Sequence, residues 1–297
     1  MVQIARFGTN PGNLKMFIHV PTGINELGPV PIVVALHGCS QTAGSMAEQS
    51  GWNKLADEYG FIVIYPQQKL TNNTSLCFNW FVNRDIDLEN GEAASIFQMI
   101  AFMKNSRNVS NVFTYGLSAG AAMANTLVAL KPSLFSGGAI LAGGPHLSAT
   151  NMFQGVRALV NPIDKTPEEW GENIIIESQD SILPRIIIYQ GTKDIVVNPK
   201  NADELIDQWS FVHGMDIVPD KEEKSLNGNW QIDRIVYASE TDPEAIIYYK
   251  IYDVGHSLAV DPGDGPMQGG KTGLFATDID FFSTYYIAKD FGLIKEL

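Results

Sequence analysis

The 297 residues carry a net charge of −13, with 45% hydrophobic and only 18% charged side chains. An acidic chain of this kind argues against an electrostatic grip on nucleic acid or an anionic membrane, and against polyanionic substrates on the same ground, but not against neutral or weakly charged ones. There is enough apolar mass for one large core, and the composition argues against disorder.

In chain order, 3–7 and 15–20 are short alternating runs around "TNPGN", a hairpin signal. "PIVVALHG" (31–38) is a continuous apolar run stopped by glycine, as suits a strand buried on both faces. Residues 45–59 have helical spacing, "FIVIYP" (61–66) is a second buried strand, and 91–104 reads as a helix. "NVFTYG" (111–116), "SGGAILAG" (136–143) and "PRIIIYQG" (184–191) continue the strands, with helices predicted over 119–130 and 201–213. A further strand, "AIIYYKIY", precedes residue 253. The chain closes with "FATDIDFFSTYYIAKDFG", an amphipathic helix ended by Gly292. Strand alternating with helix predicts a mostly parallel sheet covered on both faces. Residues 148–180 read as a small cap-like insertion and 214–235 as an exposed loop or hairpin. No repeat or long linker interrupts the chain, so 1–297 is expected to be one domain with these insertions. No apolar run approaches the ~20 residues of a bilayer span.

Gly116-Leu117-Ser118-Ala119-Gly120 is a G-x-S-x-G pentapeptide between an apolar strand and a helix-forming run. A serine on so sharp a turn needs glycine two positions either side, and the following helix offers a backbone N–H at its positive end. The hydroxyl needs a base. Among five histidines, His256 in "DVGHSLA" follows a late strand, as the order serine, acid, histidine requires. His19 and His213 read as structural or surface residues, and His146 as a cleft residue without the base's role. The acid is expected from "YQGTKDIVV": Asp194 leaves a buried strand and would hold the imidazole in the needed tautomer, in preference to Asp203 or Asp242. "LHGCSQ" (36–41) supplies an oxyanion loop in which the N–H of Cys39, ahead of that of Ser40, pairs with the N–H of Ala119. His37 and Ser40 border the substrate side of that loop, His37 bracing it rather than transferring protons.

On "ALHGCSQTAGSMAEQSGWNKLADEYGFIVIYPQQ", "CFNWF", "GEAASIFQMI", "VFTYGLSAGAAMANTLV", "YQGTKDIVVNPKNADELIDQW" and "GHSLAV", the chain resembles the polyhydroxybutyrate depolymerase-like esterases, a group that includes feruloyl and acetylxylan esterases. The resemblance implies an α/β-hydrolase fold, Ser118, Asp194 and His256 as a triad, and hydrolysis of esters through an acyl-enzyme with no metal or cofactor. It also implies a Cys39–Cys77 bridge, Trp80 at the cleft as a stacking surface, and a secreted or periplasmic home with the signal peptide removed, a cytoplasmic one being the alternative. Soluble feruloyl or acetyl esters of plant polysaccharide, or short hydroxyalkanoate oligomers, are the expected substrates. A serine peptidase on the same fold and a catalytically dead carbohydrate-binding relative are the alternatives. No nucleic-acid or membrane partner is expected.

Overall fold

The structure, a computed structural model, describes residues 1–24, 28–174 and 182–294. Its strands in chain order are β1 (Val2–Ile4), β2 (Lys15–His19), β3 (Val30–Leu36), β4 (Ile62–Gln67), β5 (Val109–Leu117), β6 (Gly137–Leu141), β7 (Arg185–Gly191), β8 (Lys221–Glu223), β9 (Ile232–Tyr237), β10 (Ile246–Ile251), β11 (Leu258–Val260) and β12 (Ala276–Asp278). The first ten form one sheet in the order β1-β2-β4-β3-β5-β6-β7-β10-β9-β8. Its centre, β4 to β10, pairs in parallel, and both flanks are antiparallel.

The central strands are apolar at successive positions because both their faces are covered. Ile32, Val34 and Leu36 of β3 point into one core with α3 (Gly91–Ser106), α4 (Ala119–Leu130) and α7 (Lys200–His213). Val33 and Ala35 point into the other, with α1 (Ala43–Ser50), α2 (Trp52–Tyr59) and α8 (Ser283–Asp290). This is the layered arrangement of the α/β-hydrolase fold. Parallel strands put every carboxyl end on one edge, and the loops that leave that edge carry the site.

Three expectations need correction. The helix over 45–59 is two helices broken at Gly51, whose φ of 70° suits glycine and whose missing side chain admits the Phe282 ring. The closing helix begins only at Ser283. The residues before it pair β12 with β11 and bury Phe281 and Phe282 in the core. Residues 214–235 do enter a hairpin, β8 against Arg234, Ile235 and Val236 of β9, but β9 is buried and extends the main sheet. Its Arg234 concealed that strand from a hydrophobic pattern; the guanidinium is held by Glu244 at 2.8 Å and Asp290 at 2.9 Å.

The insertion after 148 holds α5 (Met152–Val160), capped by Asn151, and α6 (Pro167–Gly171), capped by Thr166 and Glu169. Its end, from residue 175, lies outside the described residues. α5 lies between two parts of the site edge. Phe81 fills the space beside Gly155, and the Leu159 carbonyl accepts from Asn198 N and Asn201 Nδ2.

Candidate active site

Ser118 joins β5 to α4 at φ 57°, ψ −122°, a conformation that costs a non-glycine residue about 1–3 kcal/mol. The surroundings hold it there. Its N–H donates to Leu141 O at 2.9 Å and its carbonyl accepts from Ala122 N at 3.0 Å. A Cβ on Gly116 would meet the Gly120 carbonyl, and one on Gly120 would lie 2.5 Å from the Leu36 and His37 carbonyl oxygens. Both glycines are therefore required by backbone contact, which is the physical content of the pentapeptide.

The same edge continues by backbone bonds from strand to strand. Ala142 N donates to Tyr189 O at 2.9 Å, Thr192 N to Ile251 O at 2.8 Å and Lys193 N to Val254 O at 3.0 Å. The loops after β7 and β10 are thereby locked together, and Gly191 lets them approach, since a Cβ there would strike the Val254 carbonyl. Asp194 sits in the first loop with its side chain fully buried. Its Oδ1 accepts from Val196 N and Val197 N, each at 2.8 Å, while Oδ2 accepts from Gln190 Nε2 at 3.3 Å. Oδ2 also meets His256 Nδ1 at 2.7 Å. A carboxylate is an acceptor only, so Nδ1 carries the proton and Nε2 is left as the ring's acceptor when the imidazole is neutral. Among the described residues neither Ser118 Oγ nor His256 Nε2 has a hydrogen-bond partner. Asp194 and His256 are in contact, and Ser118 stands at the same sheet edge.

Beside the serine lies the 37–41 loop. A Cβ on Gly38 would be 3.4 Å from Ser118 Cβ. Ser40, at φ 61°, commits its N–H to Ser75 O at 2.7 Å, which removes it as an oxyanion donor. The N–H groups of Cys39 and Ala119 have no partner among the described residues, Ala119 because it opens α4 and lacks an intrahelical acceptor.

Two expectations about substrate contact fail. His37 is fully buried, so it cannot border substrate. Burial lowers its pKa to about 4, despite the Gly38 carbonyl bond that raises it, and it braces the loop as a neutral ring. Trp80 is only 3% exposed and packs edge-on against Phe81 in the core, so it offers no stacking face. Ser40 remains exposed on the loop. Cys39 and Cys77 are bridged, their Cα atoms 4.1 Å apart.

The remaining histidines stand apart from the triad loops. His146 is buried against Thr126 and Gln208, its pKa lowered to about 4 by burial. His213 lies at the end of α7 against Pro184 O, and His19 meets Asp57 at 2.8 Å.

Pattern reading missed the polar residues behind the oxyanion loop: Gln68, Asn73, Asn79 and Glu92. The available signal was Glu92 itself, an acidic residue inside an otherwise apolar helix face.

A family model described as Esterase PHB depolymerase matches residues 14–220. Poly(3-hydroxyalkanoate) depolymerase C of Paucimonas lemoignei is 41% identical over 298 residues, covering 99% of this chain and 70% of that protein. Feruloyl esterase B of Neurospora crassa is 32% identical over 270 residues, covering 86% and 87% of the two chains. The solved acetyl xylan esterase from Aspergillus awamori superposes with a TM-score of 0.76 at 26% identity, over 86% of this chain and 93% of that one. The likeness reaches from the oxyanion loop past the acid loop and agrees with the fold, so the chain belongs to the PHB depolymerase family of esterases.

Proposed function

We propose that this carboxylic ester hydrolase works through Ser118, His256 and Asp194. Ser118 Oγ attacks the ester carbonyl as His256 Nε2 takes its proton, and the amides of Cys39 and Ala119 receive the developing oxyanion. The protonated imidazole then gives its proton to the departing alcohol. Water, deprotonated by the same nitrogen, releases the acid from the acyl-serine. Asp194 fixes the ring and stabilises its charged form.

The observation that carries this reading is the 2.7 Å Asp194–His256 bond beside a strained serine flanked by two unpaired amides. The serine–imidazole bond that completes the set belongs to a class that often tightens only in the Michaelis complex. A fluorophosphonate probe should label Ser118 of the native protein and fail on Ser118→Ala. Labelling that survives the substitution would defeat the assignment.

The relatives and the surroundings support a choice of substrate class. The relatives are by name a poly(3-hydroxyalkanoate) depolymerase and a feruloyl esterase, and the acidic chain suits uncharged substrates. Ile195 and Val196, directly after Asp194, are exposed, as are Met152, Phe153, Val156 and Val160 on α5. These apolar groups at the acid loop and the insertion favour hydroxyalkanoate oligomers first and feruloyl or acetyl esters of polysaccharide second. Turnover of hydroxybutyrate oligomers, methyl ferulate and acetylated xylan under one condition ranks them. The Cys39–Cys77 bridge supports a location outside the reducing cytoplasm.

A further inference from the structure

The oxyanion donor Cys39 is one residue from Gly38, and the two share a peptide plane. In a trans peptide the C=O and N–H point in opposite directions, so fixing one fixes the other. The Gly38 carbonyl is fixed: His37 Nδ1 lies 2.8 Å from it. Gln68 N, which can only donate, lies 3.1 Å from His37 Nε2, and this assigns the ring proton to Nδ1. His37 therefore donates to Gly38 O, and the Cys39 N–H is directed away from the imidazole.

The residue that holds this arrangement is farther back. Glu92, in the first turn of α3, is only 1% exposed. Its Oε1 accepts from Gln68 Nε2 at 2.5 Å and from Asn79 Nδ2 at 2.7 Å, and its Oε2 accepts from Asn79 N at 2.8 Å. One route from Glu92 runs through Gln68 to His37 and the Gly38 carbonyl. The other runs through Asn79, whose Oδ1 accepts from Asn73 Nδ2 at 2.9 Å. Asn73 Oδ1 in turn receives Ser75 N at 2.9 Å and Cys77 N at 3.3 Å. Ser75 O holds Ser40 N, and Cys77 is bridged to Cys39. Both routes end on the peptides either side of the oxyanion donor.

We propose that Glu92 is a positioning residue for the reaction, setting the direction of the Cys39 N–H through Gln68 and His37 on one side and through Asn79 and the Cys39–Cys77 loop on the other. The proposal rests on the reading of Ser118 and the Cys39 amide given above. A buried carboxyl that merely filled space would not face three donors that converge on this loop. Burial, with the Asp85 charge adding to it, raises its pKa to about 8 even though the hydrogen bonds from Asn79 and Gln68 lower it.

Glu92→Gln puts an amide NH2 among those donors at almost unchanged volume. Losing one oxyanion donor outright costs about 10²–10³ in kcat, and misdirecting one should cost roughly 10- to 100-fold. On a soluble nitrophenyl ester we expect that fall in kcat with KM within about threefold, and an equal fall in affinity for a boronic acid that forms a tetrahedral adduct on serine. Active-site titration with a fluorophosphonate counts the competent molecules, so a loss of folded protein is not read as a loss of kcat. A titrated Glu92→Gln enzyme with kcat within twofold of the parent, or with unchanged boronate affinity, overturns the proposal. If that variant does not fold, Gln68→Met decides. It cuts the link to Glu92 while keeping the backbone N–H that meets His37, and parental kcat in that variant is equally fatal. Ser118→Ala in the same assays reports separately on the serine: full activity there would remove the parent reading, whatever Glu92 does.

Discussion

The two sides of Ser118 are built in opposite ways. On one side the 37–41 loop is tied by a disulfide, a buried histidine and, through Gln68, a buried carboxyl. On the other side, α5 and the start of the acid loop turn large apolar side chains to solvent, with Phe153 78% and Ile195 90% exposed. The reaction explains the difference. The side that receives the oxyanion must be in place before charge develops, because reorganising dipoles during the reaction would cost what they contribute. The side that meets the rest of the ester needs area rather than fixed dipoles, and exposed side chains supply it.

The comparison fails at once if the serine between the two sides does no chemistry, so the largest effect is expected there. Ser118→Ala should lower kcat by roughly 10⁴- to 10⁶-fold with an unchanged far-UV spectrum. Asp194→Asn should lower it by about 10³–10⁴, since an amide at Oδ2 would turn the imidazole to the wrong tautomer. Initial rates on a nitrophenyl ester check both, and an active Asp194→Asn enzyme would detach the acid from its role.

How much of this was legible in the sequence follows the same division. Ser118, Asp194, His256, Cys39 and Ala119 lie next to strand ends, where an apolar run stopping at glycine marks the position along the chain. The Cys39–Cys77 pairing came from family resemblance, not from any local pattern. The bracing network left no such mark: Gln68, Asn73 and Asn79 are ordinary loop residues until tertiary folding brings Glu92 to them. Trp80 was misplaced for a related reason. An aromatic beside a bridged loop can face inward or outward, and only Phe81 and the core behind it decide. The split at Gly51 was hidden because both halves keep helical spacing, and β9 because its Arg234 is neutralised by residues far along the chain.

The braced side should also yield the larger stability effects. Replacing both Cys39 and Cys77 by serine frees a 38-residue separation and should cost about 4 kcal/mol by chain entropy, or roughly 6 °C in Tm, as read by calorimetry. If the double variant melts with the parent, the bridge is not a brace. The buried histidines come next. His37 and His146 have folded pKa values lowered to about 4 by burial, against 6.5 when unfolded. The unfolded chain therefore binds more protons between those values. Their contribution is fully present above about pH 6.5 and is lost as pH falls toward 4, by about 3 kcal/mol for each group. His37→Gln should flatten that part of the curve of urea midpoint against pH. An unchanged slope would mean that the ring is not held neutral.

The exposed side should give the smallest effect and the most selective one. Phe153 stands in water on α5, so Phe153→Ser removes no core contact and should leave Tm within about 1 °C. If α5 receives the acyl or alcohol chain, the loss must scale with the apolar area that the substrate brings. Nitrophenyl acetate, which brings the least acyl area, should then keep kcat/KM within twofold. Nitrophenyl octanoate should lose roughly three- to tenfold, about 1 kcal/mol, carried by KM, because burying area outside the reacting centre binds substrate and transition state alike. Equal losses on both esters would mean that Phe153 acts on the site through the acid loop, since Leu159 and Asn198 join α5 to it. The open side would then be part of the catalytic frame, and the contrast between the two flanks of Ser118 would disappear.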